Sequence, residues 1–132
     1  TLAGTRPGGA ISSAWAVMNY LGVSGYQAKQ RQVTEARAAI EAGVEGLGFE
    51  VIGAPQLGIL AFTRSDLDVF AVYRKLYERG WVTSLCTQPK ALHLMLSPFH
   101  ASVTDQYLSD LAESVEAVEA GATETVTEVR YS

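Results

Sequence analysis

The first residues of the chain combine side chains that are suited to binding an anion. They read Thr-Leu-Ala-Gly-Thr-Arg-Pro-Gly-Gly and lead directly into a stretch with helical spacing of apolar residues. The first N–H groups of a helix lack backbone partners and carry partial positive charge, so they attract an anion. Thr5 adds a neutral donor and Arg6 a charged, forked one, while Gly8 and Gly9 let a phosphate or carboxylate approach the backbone. From the residues alone, a Gly-Pro-Gly turn with a surface arginine is the alternative.

Three further residues, Cys86, His93 and His100, have side chains that can bind a metal or act as a nucleophile and base. They are one ligand short of a structural zinc site, and their spacing matches no zinc-finger pattern. A cysteine within a strand is usually a small core residue, so we predict neither a metal site nor a catalytic cysteine. For the two histidines, structural hydrogen bonding is the preferred interpretation, and a position lining the functional site is the alternative.

Length and composition limit the class of protein. At 132 residues, 48% of them hydrophobic, the chain is long enough for one folded domain. The net charge of -4 gives no basic surface for nucleic acid. A single cysteine excludes an internal disulfide and fits a reducing compartment, so we expect a cytoplasmic location. The longest uncharged run, residues 7–28, contains too many glycines and polar residues for a membrane span.

The spacing of apolar residues predicts two helices at the start of the chain, over residues 9–21 and 26–42, with a short joint between them. The first is apolar around most of its circumference and is predicted to be mostly enclosed. Because a small globule cannot cover all of this surface, we expect parts of the helix and of the sheet to be exposed, around Ile11, Trp15 and Met18. The second helix is amphipathic. Its predicted inward residues are Val33, Ala36, Ile40 and Val44, and its predicted solvent-facing residues are Lys29, Arg31, Glu35 and Arg37.

After residue 46 the pattern changes to short strands and amphipathic helices. The predicted order is β-β-α-β-β-α, a small antiparallel sheet with both helices on one face, which is an α+β architecture. Ser65 with Asp68 predicts the start of one helix, and Ser102 with Asp105 the start of the other. The predicted strands are 49–52, 58–63, 81–86 and 91–97, and the predicted helices end at Gly80 and Gly121.

The predicted organisation has three parts. A phosphate-contact loop with linker helices occupies residues 1–45, a small α+β domain residues 46–121, and an extended tail residues 122–132. Within the small domain, the aromatic stripe of Phe70, Tyr73 and Tyr77 is predicted to lie in the core.

The opening motif and several shorter ones follow one another in a fixed order along the chain. The most specific is the string Ala-Gly-Thr-Arg-Pro-Gly-Gly-Ala at residues 3–10. The later motifs are Trp15-Ala16, Tyr20-Leu21-Gly22, Gly25-Tyr26, Pro55-Gln56-Leu57, Gly80-Trp81, Leu92-His93-Leu94 and His100-Ala101. In these motifs and their order, nearly the whole chain resembles the C-terminal part of the sphingosine-1-phosphate lyases, of the group II pyridoxal-phosphate-dependent decarboxylase family.

The resemblance implies a fold like that of aspartate aminotransferase, in which a large domain carries pyridoxal phosphate and a small C-terminal domain closes one side of the site. It also implies a homodimer with active sites at the subunit boundary, and a phosphorylated small-molecule or lipid substrate. By the matching motif, Thr5 reaches the cofactor phosphate of the neighbouring subunit. Arg6 and Gly8 are assigned to the same cofactor-binding set, with Arg6 either binding the phosphate or bracing the loop.

The Schiff-base lysine of this family follows a histidine, and none of Lys29, Lys75 and Lys90 does so. The resemblance therefore places that lysine upstream of Thr1, and we expect the chain to be a fragment without the N-terminal and large cofactor domains. No catalytic residue is predicted within it, and alone it is expected to be inactive and not to retain the cofactor.

For the intact protein, the resemblance implies cleavage of a sphingosine-1-phosphate-like amino alcohol to an aldehyde and phosphoethanolamine. Decarboxylation of an amino acid is the first alternative. A binding or dimerisation module without chemistry of its own is the second.

Overall fold

The computed structural model describes Gly4 and residues 7–121, so Thr5, Arg6 and the predicted extended tail lie outside the described residues. The chain divides into two compact units at residues 31 and 32, and each is described by itself. The elements are α1 (Gly8–Gly46), β1 (Glu50–Val51), β2 (Ile59–Thr63), α2 (Val69–Glu78), β3 (Ser84–Thr87), β4 (Lys90–Met95), a 3-10 helix (Pro98–Ser102) and α3 (Thr104–Glu119).

Helix α1 is interrupted at a single residue. Gly22 has φ 57° and ψ -173°, a conformation that glycine adopts without steric cost. The predicted break at Gly22 is confirmed, but the predicted joint over residues 23–25 is wrong because these residues are helical. The helix then continues to Gly46 and not only to residue 42. The kink in α1 is thus made by Gly22 alone, where a short joint between two helices was predicted.

The first part of α1 carries large apolar side chains that this chain does not cover. Ile11 is 62%, Trp15 65% and Met18 54% exposed. The prediction that this helix is mostly enclosed is therefore wrong for the chain, and the predicted exposure around these three residues is confirmed. Among the described residues, no helix is long and apolar enough to cross a membrane.

The later part of α1 contributes to the core of the second unit. The four predicted inward residues, Val33, Ala36, Ile40 and Val44, are all buried. Of the predicted solvent-facing residues, Lys29, Arg31 and Glu35 are exposed, whereas Arg37 is half-buried and forms an ion pair with Glu41 one turn later.

The sheet is antiparallel throughout, with strand order β1-β2-β4-β3. Its inner face is built from apolar residues that lie opposite one another on neighbouring strands. Leu60 pairs with Leu94, Phe62 pairs with Leu92, and Leu92 in turn pairs with Leu85. Together with buried residues of α1, α2 and α3, these side chains form one hydrophobic cluster. The predicted α+β class and antiparallel sheet are confirmed.

Close approach of α1 to α3 depends on a glycine. A Cβ placed on Gly43 would lie 2.5 Å from a methyl carbon of Leu108. Real carbon atoms do not approach this closely, so a larger residue would push α3 away from α1. The glycine therefore fixes how tightly the last turns of α1 pack in this unit.

Helix α2 begins differently from the prediction. Asp68 is the N-cap, and its carboxylate accepts the Phe70 backbone N–H at 3.0 Å, so the predicted start at Ser65 is wrong. The predicted aromatic core stripe is also wrong in part, because Tyr77 is exposed and Phe70 and Tyr73 are half-buried. The buried residues of this helix are Val69, Ala71, Val72 and Leu76.

Helix α3 starts after Val103 without a side-chain cap. The predicted capping pair of Ser102 and Asp105 is wrong, because the Ser102 hydroxyl donates to the Phe99 carbonyl at 2.8 Å within the preceding 3-10 helix. The predicted ends are confirmed, since Gly80 and Gly121 follow α2 and α3 with φ of 92° and 94°.

The third strand is shorter than predicted at its start. The ladder between β3 and β4 begins with the pair Ser84 and His93, and not at Trp81. The Trp81 backbone N–H donates to the Leu76 carbonyl, and its indole Nε1 donates to Asp110 Oδ2 at 2.7 Å. These two bonds direct Trp81 towards the helices, so residues 81–83 do not continue the ladder.

The carboxylate of Asp110, a residue of α3, accepts several hydrogen bonds. Gln106 and Arg79 also donate to its carboxylate, at 3.2 and 3.1 Å. Hydrogen bonds from Trp81 first, then Gln106 and Arg79, favour the charged form and hold the pKa of Asp110 below its usual range. The carboxylate is thus a charged acceptor at an almost buried position.

We expect Trp81→Phe to destabilise the chain. The substitution removes the indole donor to Asp110 and leaves the hydrogen bonds from Gln106 and Arg79. A hydrogen bond to a charged group contributes about 1.5–3 kcal/mol, and urea unfolding would measure that loss. Trp15→Phe is the matched control at an exposed site, with an expected change within about 0.5 kcal/mol. Equal effects of the two substitutions would contradict the assigned role of the Trp81 hydrogen bond.

Candidate functional site

Of the predicted cofactor-binding set of Thr5, Arg6 and Gly8, the structure describes Gly8. It is the first residue of α1 and follows Pro7. A Cβ placed on Gly8 or Gly9 would meet no described atom within 4 Å, so the backbone at this helix start is open to a ligand. The first turn of α1 carries no acidic side chain that would repel an anion. These features suit a phosphate group, and Thr5 and Arg6 lie outside the described residues.

The other requirement for a covalently held pyridoxal phosphate is a free lysine amine beside the site. The Lys75 ammonium donates to Glu78 at 3.0 Å on the surface of α2. The Lys90 ammonium lies 5.3 Å from the centre of the Phe70 ring, and Lys29 is exposed on α1 with an interaction of its own. The helix start at Gly8 therefore fits the phosphate end of the cofactor, and none of the three lysines follows a histidine as the Schiff-base lysine of the family does.

His93 and His100 are brought together by the fold. His93 lies in the middle of β4 between Ala61 and Ser84, and His100 lies in the 3-10 helix. Both line one cavity of about 130 Å³. His100 Nδ1 accepts the Ser97 backbone N–H at 2.8 Å. The interpretation of His100 as a structural hydrogen-bonding residue is thus confirmed, and both histidines also line a cavity.

Cys86 does not join the histidines. It pairs with Ala91 in the β3–β4 ladder, is half-buried, and does not line the cavity that His93 and His100 share. Within residues 7–121 and Gly4, no group of three or more histidine, cysteine, aspartate and glutamate side chains is placed to hold a metal ion.

Sequence reasoning missed two residues of this cavity, Thr83 and Tyr107. Their hydroxyl oxygens are buried and have no hydrogen-bond partner among the described residues. Tyr107 precedes Leu111 and Val115 at helical spacing, and this pattern predicts that its side chain is buried. A buried tyrosine usually finds a partner for its hydroxyl, whereas the Tyr107 oxygen is inaccessible and finds none among the described residues.

Comparison with known proteins gives one consistent result. No protein-family model matches the chain. A sphingosine-1-phosphate lyase of Oryza sativa subsp. japonica is 36% identical over 121 residues, which cover 91% of this chain and 22% of that protein. A probable L-tyrosine/L-aspartate decarboxylase of Methanothrix thermoacetophila is 33% identical over 114 residues, which cover 86% of this chain and 29% of that protein.

A solved structure agrees with the sequence comparison. The sphingosine-1-phosphate lyase of Burkholderia pseudomallei K96243 superposes with a TM-score of 0.83 at 30% identity, over 87% of this chain and 27% of that one. The chain thus spans less than a third of the length of each of these relatives. The expected resemblance, including the small-domain fold, is confirmed.

Proposed function

Since the chain is homologous to part of the sphingosine-1-phosphate lyases, we propose that it forms part of a pyridoxal-phosphate-dependent carbon–carbon lyase. The intact protein cleaves a phosphorylated long-chain amino alcohol to an aldehyde and phosphoethanolamine. The similarity to lyases over nearly the whole chain, in sequence and in fold, carries this proposal. Pyridoxal phosphate, when bound, supplies the electron sink for breaking the bond.

The role of this chain in that reaction is to hold an anion and to complete the walls of the site. Gly8 presents an open helix start to the cofactor phosphate, and Thr5 and Arg6 add a hydroxyl and a guanidinium beside it. These groups bind and orient, and they take no proton from the substrate. The lysine that bonds the cofactor is supplied by a part of the protein outside this chain.

The exposed apolar face of α1 indicates that other parts of a larger protein pack against this helix. Pro7, Ala10, Ile11, Trp15 and Met18 line a shallow apolar groove in the first unit. A surface of this kind is typical of a contact with another domain or subunit. We propose that the large cofactor domain and the second subunit of a homodimer cover it in the intact protein.

An amino-acid decarboxylase is the second candidate, supported by the similarity to an archaeal decarboxylase. Both reactions use the same cofactor, and the protein selects which bond to the reacting carbon is broken. The lyase is preferred because its similarity covers more of the chain at higher identity.

The proposal is tested by offering the intact protein sphingosine-1-phosphate, glutamate and aromatic amino acids in parallel. We expect a long-chain aldehyde and phosphoethanolamine from the lipid, measured by mass spectrometry, and no carbon dioxide from the amino acids. Carbon dioxide release without aldehyde would assign the decarboxylase reaction. No product from any substrate would favour a module without chemistry.

We expect Thr5→Val in the intact dimer to weaken retention of pyridoxal phosphate, because the substitution removes one donor to the phosphate. The loss of a hydrogen bond to a charged group, about 1.5–3 kcal/mol, corresponds to roughly a ten- to hundredfold lower affinity. Cofactor release followed by absorbance measures this change. Thr5→Ser keeps the hydroxyl and is the matched control, and a similar loss in both variants would remove Thr5 from the phosphate-binding set.

The isolated chain is expected to show no specific bonding of pyridoxal phosphate to a lysine. After incubation and borohydride reduction, peptide mass spectrometry should find sparse labelling spread over Lys29, Lys75 and Lys90, since none of them follows a histidine as the Schiff-base lysine of the family does. Stoichiometric labelling of one of them would contradict the assignment of the bonding lysine to a missing part of the protein.

A further inference from the structure

Strand β1 lies at one edge of the sheet. The strand order is β1-β2-β4-β3, so β1 has β2 on one side and, among the described residues, no strand on the other. Glu50 pairs with Thr63, and the Ile52 backbone N–H donates to the Ala61 carbonyl at 2.8 Å. Because backbone groups alternate along an antiparallel ladder, the N–H and C=O of Val51 point away from β2. The open edge of β1 therefore presents one donor and one acceptor to a further strand.

Helix α3 ends beside the segment that enters β1. The Arg64 guanidinium pairs with the carboxylate of Glu119, the last residue of α3, at 2.6 Å. The same guanidinium donates to the Leu47 carbonyl at 3.3 Å, and Leu47 lies three residues before β1. One arginine side chain thus joins the end of α3 to the entry of β1. The chain leaves α3 through Gly121, at this end of the sheet.

The residues after Gly121 have the composition of a strand. Residues 122–132, which lie outside the described residues, read Ala-Thr-Glu-Thr-Val-Thr-Glu-Val-Arg-Tyr-Ser. Between residues 123 and 129, five of seven residues are β-branched, and neither glycine nor proline occurs. Threonine and valine are enriched in strands, and glycine and proline are depleted. Each extended residue spans about 3.3 Å, so this segment is long enough to follow the whole of β1.

The course of the chain sets the direction that such a strand would have. Strand β4 ends at Met95, which pairs with Ile59 at the start of β2. Helix α3 then returns along the sheet to Arg64, which directly follows the end of β2. A strand that starts there and follows β1 runs parallel to β1 and to β4. Parallel strands of one sheet are joined by a crossover, usually through a helix, and α3 provides that helix.

The handedness of this crossover agrees with the one already present in the sheet. Strands β2 and β3 are parallel, and α2 joins them by passing across β4. Helices α2 and α3 cover the same face of the sheet, because both pack into one cluster with the inward residues of the strands. A crossover from β4 to the β1 edge starts from the opposite strand direction and moves the opposite way across that face. The two reversals leave the hand unchanged, and nearly all such crossovers are right-handed.

We propose that residues 123–129 add to the open edge of β1 as a fifth, parallel strand of the sheet. The added strand supplies hydrogen-bond partners for the N–H and C=O of Val51. This segment of the same chain is the occupant, and not a strand of a second copy, because it starts at this edge and closes only a short loop. The interaction depends on the second unit alone and not on the proposed lyase activity.

The test is amide hydrogen exchange of the 132-residue chain, followed by ¹H–¹⁵N NMR. The Val51 amide and alternate amides of residues 123–129 should exchange about tenfold or more slowly than in an unstructured peptide. Removal of residues 122–132 should accelerate exchange at Val51 about tenfold, as expected for the loss of one backbone hydrogen bond. The Val51 rate is compared with that of Leu92 at the centre of the sheet, which corrects for a change in overall stability.

The double substitution Thr125→Pro and Val126→Pro should accelerate Val51 exchange as the truncation does. Neighbouring N–H groups of a strand point to opposite sides, so one of the two faces β1, and proline cannot donate. Tyr131→Pro with Ser132→Pro, beyond the proposed strand, is the matched control and should leave the Val51 rate unchanged.

Three results would overturn the proposal. The first is exchange of all amides of residues 123–129 at the rate of an unstructured peptide. The second is a Val51 rate that does not respond to removal of the segment. The third is protection that appears only at high protein concentration, since this would assign the added strand to a second copy.

Discussion

The hydrogen bond from the Trp81 indole to Asp110 determines much of the second unit. It fixes the chain after α2 to the middle of α3, and it adds a half-buried donor to a carboxylate that Gln106 and Arg79 also bind. Because Trp81 is held there, β3 starts three residues later than its apolar pattern suggests, and a mostly apolar cavity lies beside β4. The contact between Trp81 and Asp110 therefore determines where β3 begins, how α3 is held and where the cavity beside β4 lies.

The hydrophobic cluster provides the frame in which that contact forms. Its sheet face consists of paired leucines and a phenylalanine on three adjacent strands, and helices α2 and α3 cover it. The last turns of α1 complete the cluster through Ile40 and Val44, at a spacing that Gly43 permits. The first turns of α1 contribute no buried residue, which agrees with their proposed role as a surface for other parts of a larger protein.

The two candidate sites differ in their physical character. The helix start at Gly8 is open, lacks acidic side chains and suits an anion, in line with the phosphate contact proposed for a lyase subunit. The cavity between β3, β4 and α3 is partly open and is lined by residues without a lysine, arginine, aspartate or glutamate.

The sequence alone determined the α+β class, the antiparallel sheet, the resemblance to the lyases and the inward face of α1 near Val33 and Ile40, because these depend on local periodicity and on a specific motif. It also indicated both helix-ending glycines. Only the tertiary structure decided that Asp68 caps α2, that Tyr77 is exposed, and that residues 81–83 leave the sheet. These features depend on side-chain contacts between residues far apart in sequence, such as Trp81 and Asp110. A local sequence pattern does not indicate such contacts. That His93 and His100 line one cavity was beyond the sequence for the same reason.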